Sequence, residues 1–129
     1  MSYNNSRRLS LSWDEALAAV KAGLKAQGFG VLTEIDMQTT LREKIGAKIG
    51  RYLILGACNP GFANKAIAAE GRIGVLLPCN VLVRELEDAS VEVVAINPAE
   101  TMKAVDNPAL AGLAGDVADH LEKMLAGLS

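Results

Sequence analysis

Three asparagine–proline pairs, Asn59-Pro60, Asn97-Pro98 and Asn107-Pro108, set the frame into which this chain folds. Asparagine is among the best helix N-caps because its side-chain oxygen accepts a hydrogen bond from an otherwise unpaired amide of the first turn. Proline suits the first helical position, where its missing N–H would be unsatisfied in any case. Each pair therefore reads as the start of a helix, and Asn97 with Glu100 also imitates a capping box.

The remaining elements fall between these markers. Ser12 followed by Glu15 makes a capping box for a first helix, in which Trp13, Ala16, Leu17, Val20 and Leu24 recur at helical spacing. Gly28 supplies its left-handed stop. Phe29 to Asp36 predicts a strand with Phe29, Val31, Thr33 and Ile35 on one face, and Asp36 caps a short helix with Met37, Leu41 and Ile45 as its stripe. Tyr52 to Cys58 is apolar on both faces and reads as a central strand. Gly61 to Glu70 follows as a helix buried through Phe62, Ala66 and Ile67. Ile73 to Leu77 and Cys79 to Leu86 are expected as strand bent at Pro78, which has no N–H for a ladder. Glu87 to Ser90 is a polar turn and Val91 to Ile96 its hairpin partner. The last helix, Pro108 to Leu128, aligns Leu110, Leu113, Val117, Leu121, Met124 and Leu128.

The expected fold class is α+β, with about five mostly antiparallel strands packed against four or five helices. The chain has 129 residues, half of them hydrophobic, enough for one core that removes roughly 68% of the unfolded surface from water. The expected division is a disordered or extended segment over residues 1–8 and one domain over 9–129. Thirteen basic against fifteen acidic side chains leave no basic stripe for nucleic acid. The polar start, Met1 to Arg8, lacks the apolar run of an export signal, and no stretch has the roughly 20 apolar residues of a membrane helix. Cytoplasm is the expected compartment, and Cys58 and Cys79 are expected as free thiols rather than a disulfide.

The most unusual local feature is Cys58-Asn59-Pro60-Gly61 at a strand-to-helix junction. There Cys58 lies just outside the positive end of a helix dipole, where thiolate, the reactive and metal-binding form, is favoured. Pro78-Cys79-Asn80 is an approximate mirror of it. If the two cysteines meet, a redox pair or a two-coordinate soft-metal site becomes available; if not, both are packing residues. A tetrahedral zinc site needs four ligands, and two cysteines with His120 do not supply them in one subunit. His120 flanks the apolar stripe of the last helix and reads as a boundary residue. Glu34 and Asp36 share a strand face as a candidate carboxylate pair, although Asp36 has a capping role. Arg51 could bind an anion. Gly28-Phe29-Gly30 lacks the third glycine and the following helix of a dinucleotide fingerprint.

The chain resembles a bacterial family called domain of unknown function 302. The resemblance is carried by Gly28 to Asp36 (GFGVLTEID), Leu53 to Pro60 (LILGACNP), Ile73 to Val81 (IGVLLPCNV) and Val105 to Pro108 (VDNP). It covers the chain from about Leu9 onward. It implies a compact fold of TATA-binding-protein-like architecture, in shape only, and association into homodimers. It implies no substrate and no cofactor.

The favoured expectation is a homodimeric binding module with its site at the strand ends around Cys58, Asn59, Cys79 and Asn80. The ligand would be a small anion, a thiol-reactive metabolite or a soft metal. One alternative is an enzyme or redox protein using Cys58 as nucleophile, with Asn59 or Asn80 donating to an oxyanion. The other is a structural or interaction dimer in which both cysteines are core residues.

Overall fold

In the computed structural model, which describes residues 2–129, every asparagine–proline pair opens a helix. Asn59 Oδ1 accepts from the Phe62 amide at 3.2 Å to start α3 (Pro60–Ala69). Asn97 Oδ1 accepts from the Ala99 amide at the head of the single turn α4 (Pro98–Thr101). Asn107 Oδ1 accepts from the Ala109 amide at 3.0 Å to start α5 (Pro108–Ala126). The Asn97 box is not formed, because Glu100 pairs with Lys103 instead.

The Ser12–Glu15 capping box is present in both directions and begins α1 (Trp13–Ala26), which buries Ala16, Val20 and Leu24. Gly28, at φ +84°, turns the chain out of this helix; that backbone is open to glycine and strained for most other residues. Strand β2 (Gly30–Asp36) follows, and Asp36 then caps the exposed helix α2 (Met37–Ile45) through the Thr39 amide.

Five strands form one antiparallel sheet in the order β1-β5-β4-β3-β2, with β1 at Asn4–Leu9, β3 at Tyr52–Cys58, β4 at Cys79–Glu85 and β5 at Val91–Ile96. Side chains alternate across a strand, so every second residue shares a face. Leu55 and Ala57, Cys79, Val81 and Val83, and Val91, Val93 and Ala95 are buried in the core with α1, α3 and α5. From α5 the core takes Leu110, Val117, Leu121 and Met124. Each such aliphatic side chain contributes about 1.5–3 kcal/mol through removal from water. Ile54, Leu82 and Val94 lie on the opposite face and are only half-buried.

Several expectations are corrected. Of the N-terminal segment expected as disordered or extended, Met1 lies outside the described residues, and Asn4–Arg8 belongs with Leu9 to an extended edge strand, β1, paired along β5 from Asn4↔Ile96 to Leu9↔Val91. Its polar side chains hid it, because an edge strand needs only its backbone groups and Leu9 to join the sheet. Ile73–Leu76 is a short 3-10 helix, not strand. The neighbouring strand β3 ends at Cys58, so nothing is available for these residues to pair with before Cys79 meets Ala57. The β2 face does not run from Phe29 to Ile35, since the register shifts between Val31 and Thr33 and Ile35 is 46% exposed. Strand β3 is interior, but β4 occupies the middle. Ile67 is 50% exposed, because α3 buries its Phe62–Ala66 stripe and Ile67 falls about 100° around the helix from Ala66.

Candidate functional site

Strand β3 delivers Cys58 and Asn59 to the start of α3, and β4 begins alongside it with Cys79. The register pairs Ala57 with Cys79, so the two thiols flank one position of the β3–β4 ladder. They line a common cavity of about 290 Å³. Its wall includes Phe62, Ala63 and Ile67 from α3, Leu77 and Pro78 from the segment before β4, and Leu32 from β2. No lining side chain carries a charge; Asn59 is the only amide among them. Leu32 and Ile67, 66% and 50% exposed, form an apolar rim.

The two cysteines are free and unequal: Cys58 is half-buried and Cys79 is 5% exposed. Burial pushes the Cys79 thiol up to about 11, and the neighbouring Cys58 charge adds to the rise. Cys79 is therefore a neutral thiol at physiological pH. Asn59 is oriented by its cap: Oδ1 is held by the Phe62 amide, which leaves the Nδ2 group outside the cap. That group lies against Gly28, where an added Cβ would stand 3.3 Å from Nδ2.

Gly56 does not line the cavity but leaves room for Pro78, which does. A Cβ at this position would lie 2.3 Å from Thr33 Oγ1 and 2.9 Å from Pro78 Cγ. The absence of a side chain in β3 thus lets the Pro78 ring settle against the sheet beside the thiols.

The profile of the family described as "Domain of unknown function DUF302" matches residues 5–128. The chain belongs to this family. Among solved structures it is similar to the "uncharacterized conserved protein DUF302 from Bacillus stearothermophilus", with a TM-score of 0.93 and 24% identity over 100% of both chains. No curated protein matches the chain. The likeness to the Bacillus structure establishes the fold of this DUF302 chain, five antiparallel strands with five helices.

Of the four candidate residues in this family member, Cys58, Asn59 and Cys79 meet in the cavity. Asn80 does not line it: next to buried Cys79 on β4, it is exposed and pairs with Gly56. Sequence reasoning missed Leu32, Ile67 and Leu77. Leu32 carried an available signal, an apolar residue off the expected face directly after Val31, whereas Ile67 was expected in the buried stripe of its helix.

Other candidate groups are otherwise engaged. Glu34 pairs with Lys21 at 3.0 Å and Asp36 caps α2, so the two carboxylates do not act as a pair. Arg51 sits 5.4 Å over the Trp13 ring. The His120 ring nitrogen Nδ1 is 2.7 Å from the Asp116 carbonyl oxygen, in a groove between α3 and α5. Among the described residues no three His, Cys, Asp or Glu side chains gather as a metal site. Nor is any helix long and apolar enough to cross a membrane.

Proposed function

We infer that this DUF302 protein is a binding module for a small, uncharged, largely apolar molecule, held in the cavity between α3 and the β3–β4 strand ends. The observation that carries this reading is the pairing of an uncharged wall with two free thiols, one of them reachable. A small anion fits poorly there, since the wall offers no cation and burying an unpaired charge is costly. A soft metal would have only the two thiols, one strongly protonated. Free thiols suit a reducing compartment such as the cytoplasm.

The working form is a homodimer formed through the open face of the sheet. Ile54, Leu82 and Val94 lie there half-buried, and the cross-strand ion pair Arg84–Glu92 at 2.7 Å neutralises its own charges. Such a face is suited to a second identical copy packed about a two-fold axis.

Amide NMR of the purified protein titrated with cyclohexanone tests the module. Saturable shifts centred on residues 58, 59, 62, 77 and 79 are expected, and Ala63→Phe, which fills the cavity from its half-buried wall, should abolish them. Absence of saturable shifts in the wild type, or their persistence in the filled variant, would remove the cavity as the binding site.

A further inference from the structure

We propose that this protein docks reversibly on anionic lipid bilayers through α2 and the loop after it, with Ile45 entering the interface and Arg42, Lys44 and Lys48 pairing with lipid phosphates. The inference is independent of the cavity and goes beyond the binding reading above.

The first observation is an apolar face with no partner in the fold. Helix α2 has nine residues and buries none of them. Its stripe, Met37, Leu41 and Ile45, takes no part in the core cluster. Exposure grows along the stripe, from half-buried Met37 and Leu41 to Ile45 at 75%. Gln38 Nε2 donates to the Ile49 carbonyl at 3.1 Å, which holds the returning loop alongside the helix and adds a second exposed isoleucine, Ile49. Helices this short are marginal in water without an apolar surface to lie on.

The second observation is charge. Arg42, Lys44 and Lys48 stand against Glu43 alone in residues 42–49, a cationic segment in a chain of net charge -2. All three cations are exposed, and among the described residues none of them enters an ion pair. At about 100° per residue, Lys44 and Arg42 fall on either side of Leu41, about 60° and 100° around the helix, whereas Glu43 falls behind it. Cations flanking an apolar stripe suit a helix lying in a headgroup layer. Protein interfaces are depleted in lysine and enriched in aromatic residues, while this surface has two lysines and no aromatic. Nine helical residues reach about 14 Å of a roughly 30 Å bilayer core, so the helix lies on the membrane and does not cross it.

Sedimentation of the full chain with vesicles tests the proposal, using phosphatidylcholine alone or mixed about equally with phosphatidylglycerol. Binding only to the anionic vesicles is expected, falling steeply between about 0.05 M and about 0.3 M salt. Each cation near such a surface raises partitioning roughly fivefold, so Lys44→Glu with Lys48→Glu should weaken binding by about 25-fold or more. Ile45→Ser should weaken it about tenfold. All three positions are exposed, and far-UV circular dichroism checks that the variants stay folded. No binding at low salt, equal binding to phosphatidylcholine alone, or undiminished binding by either folded variant overturns the proposal. So do two other outcomes. If Ile45→Ser turns a dimer into a monomer, the face belongs to a second copy. If soluble polyglutamate is bound as tightly as the vesicles and Ile45→Ser does not change this, the partner is an acidic protein.

Discussion

Ala57 and Cys79 face each other across the β3–β4 ladder and are both buried, while Cys58, next after Ala57 and the last residue of β3, is half-buried. One register pair therefore separates an inert thiol from a reachable one.

This inequality gives stability a pH dependence. The Cys79 thiol is raised from its ordinary 9.0 to about 11, so between these values the unfolded chain has lost a proton that the folded chain retains. The contribution is full below about pH 9 and is lost as pH rises toward 11, at up to about 1.4 kcal/mol per pH unit and about 3 kcal/mol in all. Denaturant midpoints of wild type and Cys79→Ala, compared at pH 8 and pH 10.5, should converge at the higher pH. A constant gap would show that the thiol does not titrate with unfolding.

Gly56→Ala should destabilise the fold by about 1–3 kcal/mol, the range for overpacking. The new Cβ meets Thr33 Oγ1 and the Pro78 ring together. Adding Thr33→Ala relieves only the first contact, so the double variant should recover part of the loss in a urea melt. Full recovery would mean that Pro78 yields freely.

Asn107 does two jobs: it caps α5, and its Nδ2 donates to the Ala69 carbonyl at 2.9 Å, fastening the start of α5 to the end of α3. Asn107→Ala should cost about 1–3 kcal/mol. Asn107→Asp keeps the cap but has no donor for the carbonyl, and its thermal unfolding midpoint should fall between those of wild type and alanine. An aspartate variant as stable as wild type would make the Ala69 contact dispensable.

Leu82→Glu puts a charge at the middle of the open sheet face. Sedimentation of the wild type should give twice the 13.6 kDa chain mass, and the variant should run as a folded monomer with unchanged far-UV circular dichroism. A dimeric variant would move the interface elsewhere, and a monomeric wild type would remove it.

Signals carried by neighbouring residues were legible in the sequence. The Asn-Pro caps and the Ser12–Glu15 box act within one helical turn, so spacing alone fixes them. The Val91–Ile96 hairpin partner announced itself by alternation. What depends on distant partners was not legible. Ile73–Leu76 has strand composition but no neighbouring strand to pair with, and β1 has little apolar pattern but a waiting edge on β5. The candidate site divides the same way. Cys58 and Asn59 were marked by their junction, Cys79 by the proline before it, and their meeting depends on the β3–β4 register. Asn80 was misplaced because a one-residue step along a strand reverses the face.

Strand β1 joins the sheet only through β5, with Asn4 opposite Ile96. During synthesis the first strand must therefore wait, unpaired, until nearly three-quarters of the chain has left the ribosome. Contacts so far apart in sequence form late, since the chain between them must first be brought to closure. A nascent chain stalled before Val91 would hold β2, β3 and β4 with the β4 edge still bare, a template for pairing with a neighbouring copy. The residues that looked least structured at the outset are the ones whose arrival covers the last edge of β5.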